Sequence, residues 1–217
     1  MLFVPCGGDV ADGVSWLHVE AVGDKGFDIA SPADRVPLCV DLDGTLISSD
    51  SLVQGISVFL RRDPRNLIWV LGWCFRGRAM LKTRIGEQVL PDAASLPYHR
   101  ELLAYLRAEF LRGRCLVLCT AANERVASSV AEHLGIFSMV FSSNGKENLK
   151  GRAKMKVLER RFGARQFDYA GDSWADISVW RGARSAIIVN ASPWIFLALR
   201  ILGVSVSRSF RKSVLRP

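Results

Sequence analysis

The chain has 217 residues, 49% of them hydrophobic and 23% charged, the proportions of a globular protein and not of a disordered one. Its 29 basic and 21 acidic residues leave a formal charge of +8, which favours anionic partners: phosphorylated substrates, nucleic acid or an anionic membrane surface. No compact Lys/Arg run interleaved with aromatics and no zinc-finger spacing occurs, so no nucleic-acid partner is expected.

Residues 1–35 are rich in Gly and Asp with weak periodicity and read as an N-terminal extension without a motif. They lack the basic-then-apolar layout of a signal peptide. The cysteines number five, with no CxxC pair, and Cys39, Cys115 and Cys119 lie in apolar strand-like runs. There cysteine behaves as a small buried hydrophobe, so a reduced, cytoplasmic compartment is expected.

The apolar run 36–40 predicts a short buried strand. Leu52, Ile56, Phe59 and Leu60 then fall at helical spacing, and Arg61-Arg62-Asp63-Pro64 ends that helix. Residues 67–75 start a very apolar helix, too short to span a bilayer. A basic stretch with Arg76, Arg78, Lys82 and Arg84 follows, and a further helix is predicted over 97–111. Beyond it strands at 115–119, 137–141, 167–170 and 186–189 alternate with helices at 123–134, 153–162 and 174–181. This order predicts an α/β protein: a Rossmann-like parallel sheet flanked by helices. The core would comprise 36–50 and 113–192, the helical stretch 51–112 an inserted cap, and 193–217 an apolar, then basic tail.

The chemistry-bearing residues sit where strands end. Asp41 and Asp43 follow the first strand, and side chains at i and i+2 of an extended segment point the same way. Two acids so crowded would repel each other without a cation, and Mg²⁺ is the hard, oxygen-loving answer; Asp43-Gly44 also reads as an ordinary turn pair. Thr120, followed by the small Ala121 and Ala122, offers a hydroxyl and free backbone N–H groups suited to a phosphate oxygen, or simply a helix N-cap. In Asn148-Leu-Lys-Gly-Arg-Ala-Lys154 a lysine could offset negative charge; Lys154 is favoured and Lys150 is the alternative. Asp172 ends the strand at 167–170 and could complete a metal site with Asp41, with Asp176 one helical turn on to support it.

These four elements, in this order, resemble the haloacid dehalogenase superfamily of phosphotransferases over about residues 36–190. Asp41-x-Asp43-Gly44-Thr45 and Gly171-Asp172-Ser173-x-x-Asp176 match its motifs; Thr120 and Lys154 match by position and context. The resemblance implies a phosphoaspartate intermediate on Asp41, with Asp43 as general acid and base. It further implies Mg²⁺ held by Asp41, Asp172 and the Asp43 backbone carbonyl, and a phosphoryl group bound by Thr120 and Lys154. An insertion between the first two motifs is similar to the helical cap of the phosphoserine-phosphatase-like members.

Trp69, Trp73 and Phe75 lie close to Arg76, Arg78 and Lys82, and Trp194 to Leu202 precede Arg208, Arg211, Lys212 and Arg216. Apolar and basic residues so paired suit an interfacial helix on an anionic membrane; core packing and a solvated tail are the plainer readings. The segments 148–151 and 167–173 also look like the phosphatase-type domain fused ahead of membrane-embedded aromatic prenyltransferases. That resemblance implies a prenyl- or lipid-linked phosphate as substrate, a membrane prenyltransferase as partner, and a chain that ends near where a membrane domain would begin. The expected activity is Mg²⁺-dependent phosphomonoester hydrolysis on a phosphorylated small molecule or a lipid-linked phosphate. A non-catalytic regulatory or membrane-adaptor domain, or a phosphotransferase to an alcohol, are the alternatives.

Overall fold

The computed structural model describes residues 36–143 and 148–211; the N-terminal extension, Lys212 and Arg216 lie outside the described residues. Six parallel strands form one sheet in the order β3-β2-β1-β4-β5-β6. They are β1 (Leu38–Val40), β2 (Leu116–Asn123), β3 (Met139–Ser143), β4 (Asp168–Gly171), β5 (Ser185–Val189) and β6 (Val206–Phe210). A parallel sheet needs cover on both faces, and β1, β4 and β5 are buried at every position. Alternate residues feed two cores. Leu38, Val40, Leu116 and Leu118 pack with Leu102, Leu106, Val126 and Val130 of α4 (Arg100–Leu111) and α5 (Glu124–Leu134). Cys39, Val117, Cys119 and Tyr169 pack with Leu158, Val179, Trp180 and Leu199 of α6 (Arg152–Phe162), α7 (Ile177–Gly182) and α8 (Pro193–Ile201).

Between β1 and β2 the chain forms α1 (Ser51–Arg62), α2 (Leu67–Phe75) and α3 (Arg78–Gln88), then α4. The first three share a separate small core of Phe59, Val70, Leu81, Ile85 and Val89. Two boundaries differ from those read in the sequence. Ala93, Leu96, Leu102 and Leu106 belong to the sheet's own core, so the unit that stands apart ends near Val89, not at 112. The segment after 192 is not a tail as far as Arg211: α8 buries Ile195 and Leu199 against the sheet, and β6 pairs with β5. Cys39 and Cys119 are buried free thiols, whereas Cys115 is disulfide-bonded, contrary to its reading as a buried thiol.

The strand order fixes where a site can form. From β1 the chain runs outward to β2 and β3, then crosses back to β4 on the other side of β1. Beyond the carboxyl ends of β1 and β4 the connecting segments therefore diverge, and an open α/β sheet offers its crevice at such a switch point. At the opposite ends of the strands Arg114 bridges Glu109, Asp168 and the Val36 carbonyl. That buried network is remote from the crevice.

Candidate active site

The crevice is a cleft of about 390 Å³ lined by Asp41, Asp43, Ala121, Lys150, Lys154, Asp172 and Asp176, together with residues from the cap. Asp41 follows β1, and its N–H donates to the Ala170 carbonyl of β4 at 3.0 Å, locking the two strand ends together. The chain then turns through Gly44, whose φ of +78° is a conformation L side chains avoid. A Cβ at this glycine would lie 2.2 Å from Asp172 Oδ2; only a residue with no side chain lets the two motifs close on each other. Thr45 is fully buried, and its hydroxyl donates to Asp172 Oδ1 at 3.2 Å.

Asp43 leads directly into the cap. Its Oδ1 accepts from the Ser51 N–H at 2.7 Å, in the first turn of α1, while Asp50 caps the same helix by accepting from Leu52 N at 2.8 Å. Burial pushes the Asp43 carboxyl above its ordinary range, against the hydrogen bonds from Ser51.

The two candidate lysines occupy different places. Lys154 lies 2% exposed in the first turn of α6, with its Nζ 2.9 Å from Asp41 Oδ1. Lys150 is exposed at the cleft wall. Lys154 also donates to the Tyr169 hydroxyl at 2.7 Å, which in turn donates to Asp176 Oδ1 at 2.8 Å. Asp176 Oδ2 accepts from Ser173 Oγ at 2.8 Å and from the Ser173 N–H at 3.1 Å. Asp176 thus spends its oxygens holding the loop that carries Asp172 and steadying Lys154 through Tyr169.

Thr120 departs from its expected place. It is fully buried near the end of β2, its oxygen accepts from the Ala122 N–H at 3.0 Å, and the cleft is lined instead by Ala121 and Asn123. Nor is it an N-cap: β2 continues to Asn123, which caps α5 by accepting from Arg125 N. The cap closes over this corner. Lys82 of α3 donates to the Ala121 carbonyl at 3.2 Å, and Arg125 donates to the Gly86 carbonyl at 3.2 Å.

Carboxylate oxygens of Asp41, Asp172 and Asp176 all lie within 4.8 Å of one another. Three acids face one buried lysine, an excess of negative charge in a poorly solvated place. Burial pushes Asp41 up to about 7 despite the pull of Lys154, with Asp176 adding to the rise. Burial, and then the charge of Asp176, push Asp172 up to about 6. A hard cation is what would let both ionise, so the donor set fits a metal ion. Asp41 and Asp172 are its natural ligands, because the oxygens of Asp176 already accept several hydrogen bonds.

Tyr169 and Asn123 were not expected at the site from the sequence; Thr45 stood there only as the end of the first motif and Lys82 only as part of the basic stretch. Tyr169 packs against Gly171, where a Cβ would meet its ring at 2.9 Å.

The switch point of this doubly wound α/β fold thus carries a buried aspartate–lysine pair and an acidic cluster. The sequence model of the haloacid dehalogenase-like hydrolases matches residues 38–181, and the chain belongs to that family. An uncharacterised protein of Sinorhizobium fredii is 36% identical over 172 residues, which cover 79% of this chain and 33% of the relative. The chain therefore spans about a third of that relative's length. Among solved structures, a Bordetella pertussis protein of unknown function superposes with a TM-score of 0.58 at 18% identity, over 78% of this chain and 96% of the other. A substrate-bound phosphoserine phosphatase superposes with a TM-score of 0.55 at 16% identity, over 82% of this chain and 93% of that one. These two likenesses show the shared fold.

Proposed function

We propose that the protein is a Mg²⁺-dependent phosphomonoester hydrolase that works through a phosphoaspartate on Asp41. The observation that carries this reading is the juxtaposition, in one cleft, of the buried Lys154–Asp41 pair with Asp43 at the mouth of the cap. Mg²⁺, held by Asp41 and Asp172, would neutralise charge on the transferring phosphoryl group.

Asp41 attacks phosphorus through a carboxylate oxygen, and the bond from phosphorus to the ester oxygen breaks. Asp43, protonated, gives its proton to the departing oxygen. The resulting Asp43 carboxylate then takes a proton from the water that attacks the acyl phosphate, which frees inorganic phosphate and restores Asp41. Lys154 orients Asp41 and offsets the charge of nucleophile and phosphate together. Ala121, near the end of β2, lines the cleft, where a phosphoryl oxygen would meet backbone; Thr120 stands buried behind it.

The lining also bears on the ester. Among the described residues it is polar or small: Asp50, Lys82, Thr83, Asn123, Ser143 and Asn148 surround the acids, with no large apolar side chain. A small polar phosphate ester suits such walls. A prenyl- or lipid-linked phosphate would have to leave its tail outside the cleft.

The test uses an aryl phosphate, whose leaving group needs no acid. Asp43→Asn should lower steady-state turnover by about 10²–10⁴-fold and retain labelled phosphate on the chain after rapid mixing. Turnover near that of the unsubstituted protein would sink the role of Asp43. An added alcohol that collects the phosphate in place of water would reassign the reaction as transfer. An intact protein that hydrolyses nothing in a broad ester panel would favour a regulatory or membrane-adaptor domain.

A further inference from the structure

We propose that α2 docks the protein on the surface of an anionic lipid bilayer, an inference independent of how the cleft is read. All nine residues of α2 are apolar or small, Leu-Ile-Trp-Val-Leu-Gly-Trp-Cys-Phe. Such a helix is ordinarily buried or in contact with lipid. Here only Val70 is buried, and Trp73 is half-buried, stacked on Phe59 with ring centroids 5.7 Å apart. Those two anchor the helix to the cap, and the rest faces out: Leu67 is 49% exposed, Ile68 74%, Trp69 62%, Leu71 50% and Phe75 92%. A contiguous apolar face of this kind on a water-soluble surface marks an interaction site.

The charges around it select the occupant. Arg61, Arg62 and Arg65 stand exposed before α2 and Arg76 after it, with Asp63 the one acid among them. An apolar centre between arginines of one sign matches the acyl boundary of a membrane framed by anionic headgroups. A second copy of this chain would set the same arginines against each other, which like-charge repulsion opposes. Nine residues of helix extend only about 14 Å, less than half the hydrocarbon thickness. Among the described residues no helix is long and apolar enough to cross a membrane, so α2 would lie in the interface.

The test is flotation of the full chain with phosphatidylcholine vesicles, with and without phosphatidylglycerol. The proposal expects binding that requires phosphatidylglycerol and weakens with salt. Ile68→Ser and Phe75→Ser should each weaken it about tenfold or more. Replacing any one of Arg61, Arg65 or Arg76 by Gln should weaken it about fivefold. Thermal melting of each variant, and not phosphatase activity, is the control for folding, so failure of the catalytic reading leaves this result interpretable. No binding to anionic vesicles, binding unchanged in Phe75→Ser, or a dimer that the serine variants dissociate would each overturn the proposal.

Discussion

Replacing Gly44 by alanine tests the closure of the two acidic motifs more sharply than deleting either acid. The new methyl carbon would sit 2.2 Å from Asp172 Oδ2 and 2.8 Å from its Cγ. Ordinary contact needs more than 3 Å, so Asp172 must retreat by about 1 Å or the turn must reshape. The turn resists, because its φ of +78° already costs an L residue about 1–2 kcal/mol. Misplacement of a catalytic group by about 1 Å costs on the order of 10²-fold in rate. The variant is therefore expected to lose about 1–2 kcal/mol of stability and about two orders of magnitude in kcat. Mg²⁺ affinity should fall in parallel, because Asp172 is one of the two ligands proposed for the ion. Urea unfolding, steady-state kinetics and Mg²⁺ titration read the three effects. The internal comparison is Gly72→Ala in α2, where an added Cβ meets nothing within 4 Å and should stabilise the helix by up to about 1 kcal/mol. A Gly44→Ala protein with unchanged Mg²⁺ affinity and turnover would refute the packing argument.

The two lysines should separate cleanly. Lys154→Met is expected to reduce kcat by about 10²–10³-fold, while Lys150→Met should change it by no more than about threefold, because its exposed side chain is a surface charge; equal losses in both variants would contradict the geometry. The metal-free fold should also lose stability as pH rises. Asp41 and Asp172 are raised to about 7 and about 6, so between their unfolded values near 4 and these folded values the native state holds more protons than the unfolded one. Their contribution is thus fully present below about pH 4 and is lost by about pH 7. Melting curves in EDTA from pH 5 to pH 7.5 should show this fall, and added Mg²⁺ should flatten it. A metal-free melting temperature that climbs with pH over this interval would contradict the assignment.

Much of the fold was legible because parallel strands leave short, fully apolar runs, and their ends fall next to residues that no core would choose. Asp41 and Asp172 were visible for that reason. The choice of Lys154 over Lys150 was less plain, although a local signal existed: Lys154 stands four residues before the buried Leu158, on the apolar stripe of α6, where a lysine needs a partner. The Tyr169 hydroxyl between Lys154 and Asp176 is a tertiary coincidence with no local pattern. Thr120 was read as lying just past a strand because the apolar run stops at Cys119, yet pairing with β3 carries β2 on to Asn123. β6 escaped notice because its sequence, Val-Ser-Arg-Ser-Phe, is mostly exposed and takes its order from β5. The cap boundary failed for a related reason: α4 is as helical as α1, and only its packing assigns it to the sheet.

The most direct test of the central claim is phosphate release from a panel of phosphomonoesters, with and without Mg²⁺, by the intact chain and by Asp41→Asn. The account predicts release that requires Mg²⁺, is greatest on small polar esters, and is abolished by the substitution. Release that persists in Asp41→Asn, or that proceeds equally without Mg²⁺, would contradict it.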